Sequence, residues 1–213
     1  MTAARTGHSS LLLEFLSQVL ARIGIDGEEF LRAVELGAPE SEGRSADPAR
    51  VDAALDALAA ARHDGAFALT LARAEIQGPL GLYGHLIWLS GTLRDALTRA
   101  ARFYSLCTQR ATLSLEAPDG EPVARVTRHV HAGPPLGRTL PEFAFATLLL
   151  RARAATSGRF AVTGVRFGHE VPDVAPYEAY FGAPVTFGTR GDDELAFDAS
   201  LLDLGLSTAD PVT

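Results

Sequence analysis

The feature that most constrains the fold of this chain is a change in hydrophobic period near Cys107. Before it, apolar residues recur at the spacing of amphipathic helices, as in LLLEFLSQVLARI (11–23). After it, RATLSLEA (110–117) and PVARVTRHVH (122–131) alternate every second residue and are joined by a PDGE turn, which indicates a β-hairpin. We therefore expect helices in the first half of the chain and a sheet in the second.

Local capping signals mark the starts of the predicted helices. Asp26, Asp47 and Thr92 each precede an apolar run, as N-cap residues do, because their side-chain oxygens can accept from the first free backbone N–H groups. Thr139, with Glu142 three residues later, predicts a capping box at the start of a long apolar helix.

The order of elements predicts an α+β fold. Strands are expected at 160–170, 184–189 and 194–199, in addition to the hairpin, with helices between them. Helices followed by ββαβαββ indicate an antiparallel sheet of about five strands covered by helices. Residues 1–107 and 108–213 are expected to form the helical and sheet regions of one compact ligand-sensing and dimerisation unit.

Composition argues against several classes of protein. The net charge is −7 without a cluster of Lys and Arg, and a helix-turn-helix-like pattern at 19–36 carries Glu28, Glu29 and Glu35, which would repel phosphate. Direct nucleic-acid binding by this chain is therefore not expected. A single cysteine, Cys107, no signal peptide and no apolar run of about 20 residues predict a cytoplasmic protein with no membrane span.

Two histidines raise the question of a metal site. His129 and His131 lie two apart on a predicted strand and so share a face. A metal site would need at least a third ligand, such as His85, His169 or Glu142. The alternative is a solvated strand face, and we predict no metal.

Arg128 is the charged residue that most needs an explanation. It shares a strand face with Ala124 and Val126, and a charge in an apolar row is costly unless it is paired. One interpretation is a structural ion pair with Glu142 or Glu170. The other is a clamp for an anionic ligand, which the bidentate geometry of arginine suits.

A second candidate for ligand binding is the apolar stretch LGLYGHLIWLS (80–90). Its Tyr83, His85 and Trp88 belong either to the core or to a pocket between this helix and the sheet. Together with Arg128 they are the predicted ligand-binding residues. The chain has no nucleophile elbow and no Gly-rich phosphate loop, so we predict no catalytic residue and no cofactor.

Two segments of the sequence match a known pattern. The first contains Gly78, Leu80, Gly81, Thr92, Leu93, Ala96 and Leu97. The second contains Tyr177, Phe181, Gly182, Pro184, Val185, Phe187, Leu195, Phe197, Leu201 and Leu202. In their order and spacing these residues resemble the N-terminal ligand-binding region of one branch of AraC-type transcriptional regulators, the arabinose-binding type.

The resemblance implies that the chain senses a small effector and forms a homodimer. In such regulators DNA is bound by a separate C-terminal domain with two helix-turn-helix units, and the resemblance implies that this domain would begin where the present sequence stops, at Thr213. The sugar-binding arm of the family is a β-barrel, whereas this chain begins with helices, so a cupin barrel is not expected. The candidate dimer face is one side of the helix after Thr92, and it comprises Leu93, Ala96, Leu97 and Ala100.

Two further hypotheses concern chemistry and adhesion. The alternative function is a small cytosolic α+β enzyme or cofactor-binding protein that uses Arg128, His85 and His129. The triplet Arg190-Gly191-Asp192 would suggest an adhesive loop in a secreted protein. Here it is predicted to be the exposed tip of a hairpin, with Asp192 and Asp193 in water.

Overall fold

The computed structural model describes residues 7–34, 45–75, 84, 87–131, 137–189 and 191–209. The helices are α1 (Ser10–Arg22), α2 (Gly27–Ala33), α3 (Pro48–Ala61), α4 (Phe67–Ala74), α5 (Leu93–Phe103), α6 (Thr139–Ala155) and α7 (Ala175–Phe181). The strands are β1 (His8–Ser9), β2 (Ser45–Ala46), β3 (Ala111–Glu116), β4 (Val123–Val130), β5 (Val162–Arg166), β6 (Val185–Thr186) and β7 (Asp193–Asp198). Short 3-10 turns occupy Tyr104–Leu106 and Ala199–Asp203.

Side-chain caps begin the helices where the sequence predicted them. The carboxylate of Asp26 accepts from the backbone N–H groups of Glu28 and Glu29, and that of Asp47 accepts from Ala49 ahead of a proline in the first turn. Thr92 caps α5 in the same way. These predictions are confirmed because capping depends on neighbours within three residues.

The start of α6 differs from its prediction. Thr139 is the first residue of the helix, and no side chain caps it. Glu142 turns instead into the core, where Tyr177 donates to its Oε2 at 2.9 Å and Nε2 of His169 lies 2.8 Å from its Oε1. The buried carboxylate thus joins α6 to α7 and to the segment after β5, because a buried charge needs hydrogen-bonding partners more than a helix end does.

The main sheet has five strands in the order β3-β4-β7-β5-β6. Neighbours are antiparallel except β5 and β6, which are parallel. Because β3 and β6 lie at the two edges, the sheet is open, and the predicted α+β fold without a barrel is confirmed. The β6–β7 hairpin that was predicted is wrong, since β5 lies between these strands.

The two faces of the sheet differ in polarity. Val126, Leu195 and Phe197 are buried on the face that joins the helices in one hydrophobic core. On the opposite face, Glu194 forms ion pairs with Arg125 and Arg166 on the flanking strands. The helices therefore cover one face, and within the described residues no helix has the length and apolar character that a membrane crossing requires.

The helix α5 packs against β3 with its apolar stripe facing inward. The stripe consists of Leu93, Ala96, Leu97 and Ala100, and all four are at most 7% exposed. A stripe at helical spacing indicates burial but not whether the cover is the same chain or a partner. The four residues predicted as a dimer face are therefore covered by the chain's own fold in this structure.

Candidate functional site

A cavity of about 120 Å³ lies between the helices and the β3–β4 end of the sheet. Its wall is mostly aliphatic and aromatic, with Phe15 from α1, Leu97 from α5 and Phe143 from α6. Trp88 contributes from the helical turn before α5. A mainly apolar pocket with few polar groups is the usual form of a small-molecule site.

Arg128 supplies the charged part of this wall. Its side chain is 3% exposed, and Nη1 lies 2.8 Å from Oδ2 of Asp193, while Nε donates to the hydroxyl of Tyr104 at 3.2 Å. Arg128 and Asp193 are directly opposite each other on β4 and β7, which brings together residues 65 apart in sequence. An ion pair was expected, but its partner is Asp193 rather than Glu142 or Glu170.

His8 is a site residue that the sequence analysis missed. The strand β1 holds it at the cavity, because Ser9 N donates to the carbonyl of Cys107 at 3.0 Å and Gln109 N donates to that of Gly7 at 3.2 Å. The side chain of His8 is 2% exposed. The polar N-terminal stretch has no hydrophobic period, so nothing in the sequence places His8 inside.

The imidazole of His8 is buried, and no hydrogen bond to a described residue offsets the cost of removing its nitrogens from water. Neither ring nitrogen has a hydrogen-bond partner among the described residues. Burial, together with the positive charges of Arg128 and Arg110, lowers the pKa of His8 from 6.5 to about 4. The ring is therefore neutral at pH 7, with one nitrogen able to donate and the other able to accept.

Three more polar groups line the cavity. The hydroxyl of Thr147 on α6 is buried and makes no hydrogen bond to a described residue. One turn later, Arg151 forms an ion pair with the buried Glu75 after α4. Burial raises the pKa of the Cys107 thiol to about 12, so this side chain stays protonated and acts as part of the apolar wall.

The structure brings two of the four predicted ligand-binding residues together. Trp88 and Arg128 line the same cavity. Tyr83 and His85 lie outside the described residues. The role of these residues in binding stays a prediction.

The histidines considered for a metal site are separated. His129 lies on the polar face of the sheet, where Nδ1 is 2.6 Å from Oδ2 of Asp192 and Nε2 is 2.9 Å from the hydroxyl of Ser114. His131 is exposed, and its Nδ1 lies 3.0 Å from the carbonyl oxygen of Gln109, whereas His169 contacts Glu142. In the part of the chain that the structure describes, no three His, Cys, Asp or Glu residues are arranged to hold a metal ion.

Asp192 and Asp193, at the end of the Arg-Gly-Asp triplet and just after it, have different environments. Arg190 lies outside the described residues. Asp192 accepts a hydrogen bond from Val130 N at 3.2 Å and so links the residue before β7 to the end of β4. The prediction that Asp193 lies in water is wrong, since it is 4% exposed and pairs with Arg128.

Comparison with known proteins identifies the family of the chain. A sequence model described as the arabinose-binding domain of AraC transcription regulators, N-terminal, matches residues 24–206. The chain belongs to this family. It is therefore a ligand-sensing regulatory domain of the AraC type. Most residues that line the cavity fall within the matched range, whereas His8, Leu12 and Phe15 precede it. A comparison with curated proteins finds no match.

A solved structure shares the fold of this AraC-type domain. The transcriptional regulator CdpR from Pseudomonas aeruginosa superposes with a TM-score of 0.61 at 14% sequence identity. The match covers 94% of this chain and 59% of the CdpR chain, so this chain spans about three fifths of that protein.

Proposed function

We propose that this domain binds a small, mainly apolar effector in the cavity around Trp88 and Arg128, and that it dimerises. Effector binding would shift the population of two dimer arrangements, and a separate C-terminal domain would bind the DNA. Membership of the AraC-type family supports the regulatory role. Because the α5 stripe is buried, the proposed dimer uses another surface.

The observation that carries the proposal is the combination of an apolar cavity with unpartnered polar groups on its wall. His8 and Thr147 line the cavity and are buried without hydrogen-bond partners among the described residues. Leaving such a group unsatisfied costs about 1–3 kcal/mol. A ligand that supplies partners would recover part of this cost, so it would bind through both its apolar body and its polar end.

The size of the cavity limits the effector. An apolar cavity of about 150 Å³ in another protein accepts benzene. The volume of about 120 Å³ here therefore suits a compact molecule with roughly the bulk of one small ring or a short chain. A larger effector would require the surrounding helices to move apart.

The position of the cavity suggests how binding would be transmitted. Leu97 and Ala100 of α5 line it, as do Leu113 of β3 and Arg128 of β4. A ligand that fits only one packing of α5 on the sheet edge would favour that packing, and hence one dimer arrangement. A tenfold response requires about 1.4 kcal/mol of difference in affinity between the two arrangements.

The alternative of a small enzyme has less support. Arg128 faces the core, whereas His129, its neighbour on β4, is 39% exposed on the opposite face and pairs with Asp192. These two groups therefore do not converge on one cavity, as a catalytic site would require. His85 lies outside the described residues.

A thermal-shift screen of compact aromatic, aliphatic and hydroxylated compounds tests the proposed site. At a hundred times its dissociation constant, an effector should stabilise the domain by about 2.7 kcal/mol, or about 5–10 °C in Tm. Ala144→Leu, which adds bulk to the cavity wall, should abolish the shift.

The matched control is Ala154→Leu on the exposed side of the same helix, and it should respond like the wild type. A ligand that stabilises both variants equally binds elsewhere, which would contradict the assignment of the site. Sedimentation velocity with the same ligand measures whether the dimer population changes.

A further inference from the structure

We infer, building on the sensing function proposed above, that the effector is a small carboxylic acid whose carboxylate is bound beside Arg128 and His8. We further infer that binding is coupled to the uptake of one proton from solvent by the His8 imidazole. The site belongs to the cavity that α1, α5, α6 and the β3–β4 edge enclose.

The first observation is that the guanidinium of Arg128 has unused donors. Its Nε donates to Tyr104 and its Nη1 donates to Asp193. Its Nη2 makes no hydrogen bond to any residue that the structure describes. A guanidinium carries five N–H donors, and the acceptor that matches its geometry best is a carboxylate or a similar oxyanion.

The second observation is the positive electrostatic environment at His8. Arg128 and Arg110 are 3% and 4% exposed, and the charges of both, after the effect of burial itself, lower the pKa of His8. The same field that disfavours a cation at His8 favours an anion there. A buried carboxylate needs such a field, because without it the desolvation cost would prevent binding.

The third observation is that His8 is a titratable group with both ring nitrogens unpartnered among the described residues. A carboxylate beside the ring would reverse the local balance and favour the imidazolium, which would then donate to the carboxylate. The charged or titratable groups that line the cavity with His8 are Tyr104, Cys107, Arg128 and Arg151, and the charge of Arg110 also acts on the ring. Arg151 is already paired with Glu75, and Arg128 is paired with Asp193. His8 is therefore the group that can gain a proton and so neutralise the charge of the bound carboxylate.

The test uses acids and amides of equal size. Butanoate, hexanoate and benzoate are each compared with butanamide, hexanamide and benzamide by isothermal titration calorimetry. At least one acid should bind tenfold or more tightly than its amide. Between about pH 5.5 and 7, we expect His8 to be neutral in the free protein and protonated in the complex. As the pH rises through this range, the affinity for the acid should therefore fall about tenfold per pH unit.

Proton uptake is measured by repeating the titration in buffers of different ionisation enthalpy. His8→Gln retains a donor but cannot take up a proton, so it should lose both the uptake and the pH dependence. The exposed His131→Gln is the control that should keep them. The inference is overturned if no acid is preferred over its amide, if the uptake persists in His8→Gln, or if none of the six compounds binds.

The two proposals can fail separately. If neutral compounds from the thermal-shift screen bind and Ala144→Leu abolishes their binding, the cavity is the effector site and the proposal of a carboxylic acid is wrong. If no compound in either experiment depends on Ala144, both proposals fail.

Discussion

Asp193→Ala should destabilise the domain by about 3–5 kcal/mol in urea unfolding at pH 7. The substitution leaves the guanidinium of Arg128, which is 3% exposed, without its charged partner at 2.8 Å. A buried charge that loses its partner retains the full cost of desolvation. The substitution also removes the acceptor for Gly168 N, which adds to the loss.

The double variant Arg128→Met/Asp193→Leu separates the cost of an unpaired buried charge from the net contribution of the ion pair to stability. It replaces both charges by apolar groups, and buried ion pairs are often no more stabilising than such replacements. Most of the lost stability should therefore return. The control is Arg166→Ala, which breaks an ion pair on the exposed face and should cost less than about 1 kcal/mol. A loss below 1 kcal/mol for Asp193→Ala would show that Arg128 is not held in the core as described.

Acid should destabilise the wild type more than His8→Leu. In the folded protein the pKa of His8 is lowered from 6.5 to about 4, chiefly by burial, so between these pH values only the unfolded chain binds this proton. Stability therefore falls as the pH drops through this window, by about 3 kcal/mol for this one group. His8→Leu lacks this contribution, and at pH 7 it should be at least as stable because an unpartnered polar group is gone.

The measurement is the free energy of unfolding of both proteins at pH 7, 6, 5 and 4. Burial raises the pKa of Asp52 and Glu75, and these carboxyls stabilise the folded protein as the pH falls, but they are common to both proteins and cancel in the difference. The exposed His131→Gln should follow the wild type. Parallel pH curves for wild type and His8→Leu would show that His8 is not buried as the structure has it.

The sequence predicts the parts of this fold that depend on near neighbours. The caps at Asp26, Asp47 and Thr92 form as expected, and Gly182 ends α7 with a left-handed φ of 69°. Each depends on a few adjacent residues whose geometry is fixed by the helix itself. The open five-stranded sheet also follows from the order of helical and alternating segments.

The features that the sequence does not predict depend on long-range contacts. Arg128 was expected to need a partner, but the choice of Asp193 depends on the register of β4 against β7. The inward face of α5 depends on what packs against it, which no local pattern reveals. His8 enters the cavity only because β1 pairs with β2 and with the segment around Thr108.

The most direct test of the account is the fluorescence of Trp88, which is the only tryptophan in the chain and lies at the cavity wall. The titrant is the compound with the largest thermal shift. We predict a saturable change in Trp88 emission, with the same dissociation constant as calorimetry, that is absent in Ala144→Leu and retained in Ala154→Leu. A compound that stabilises the domain while the emission stays unchanged, or changes equally in both variants, would contradict binding in this cavity.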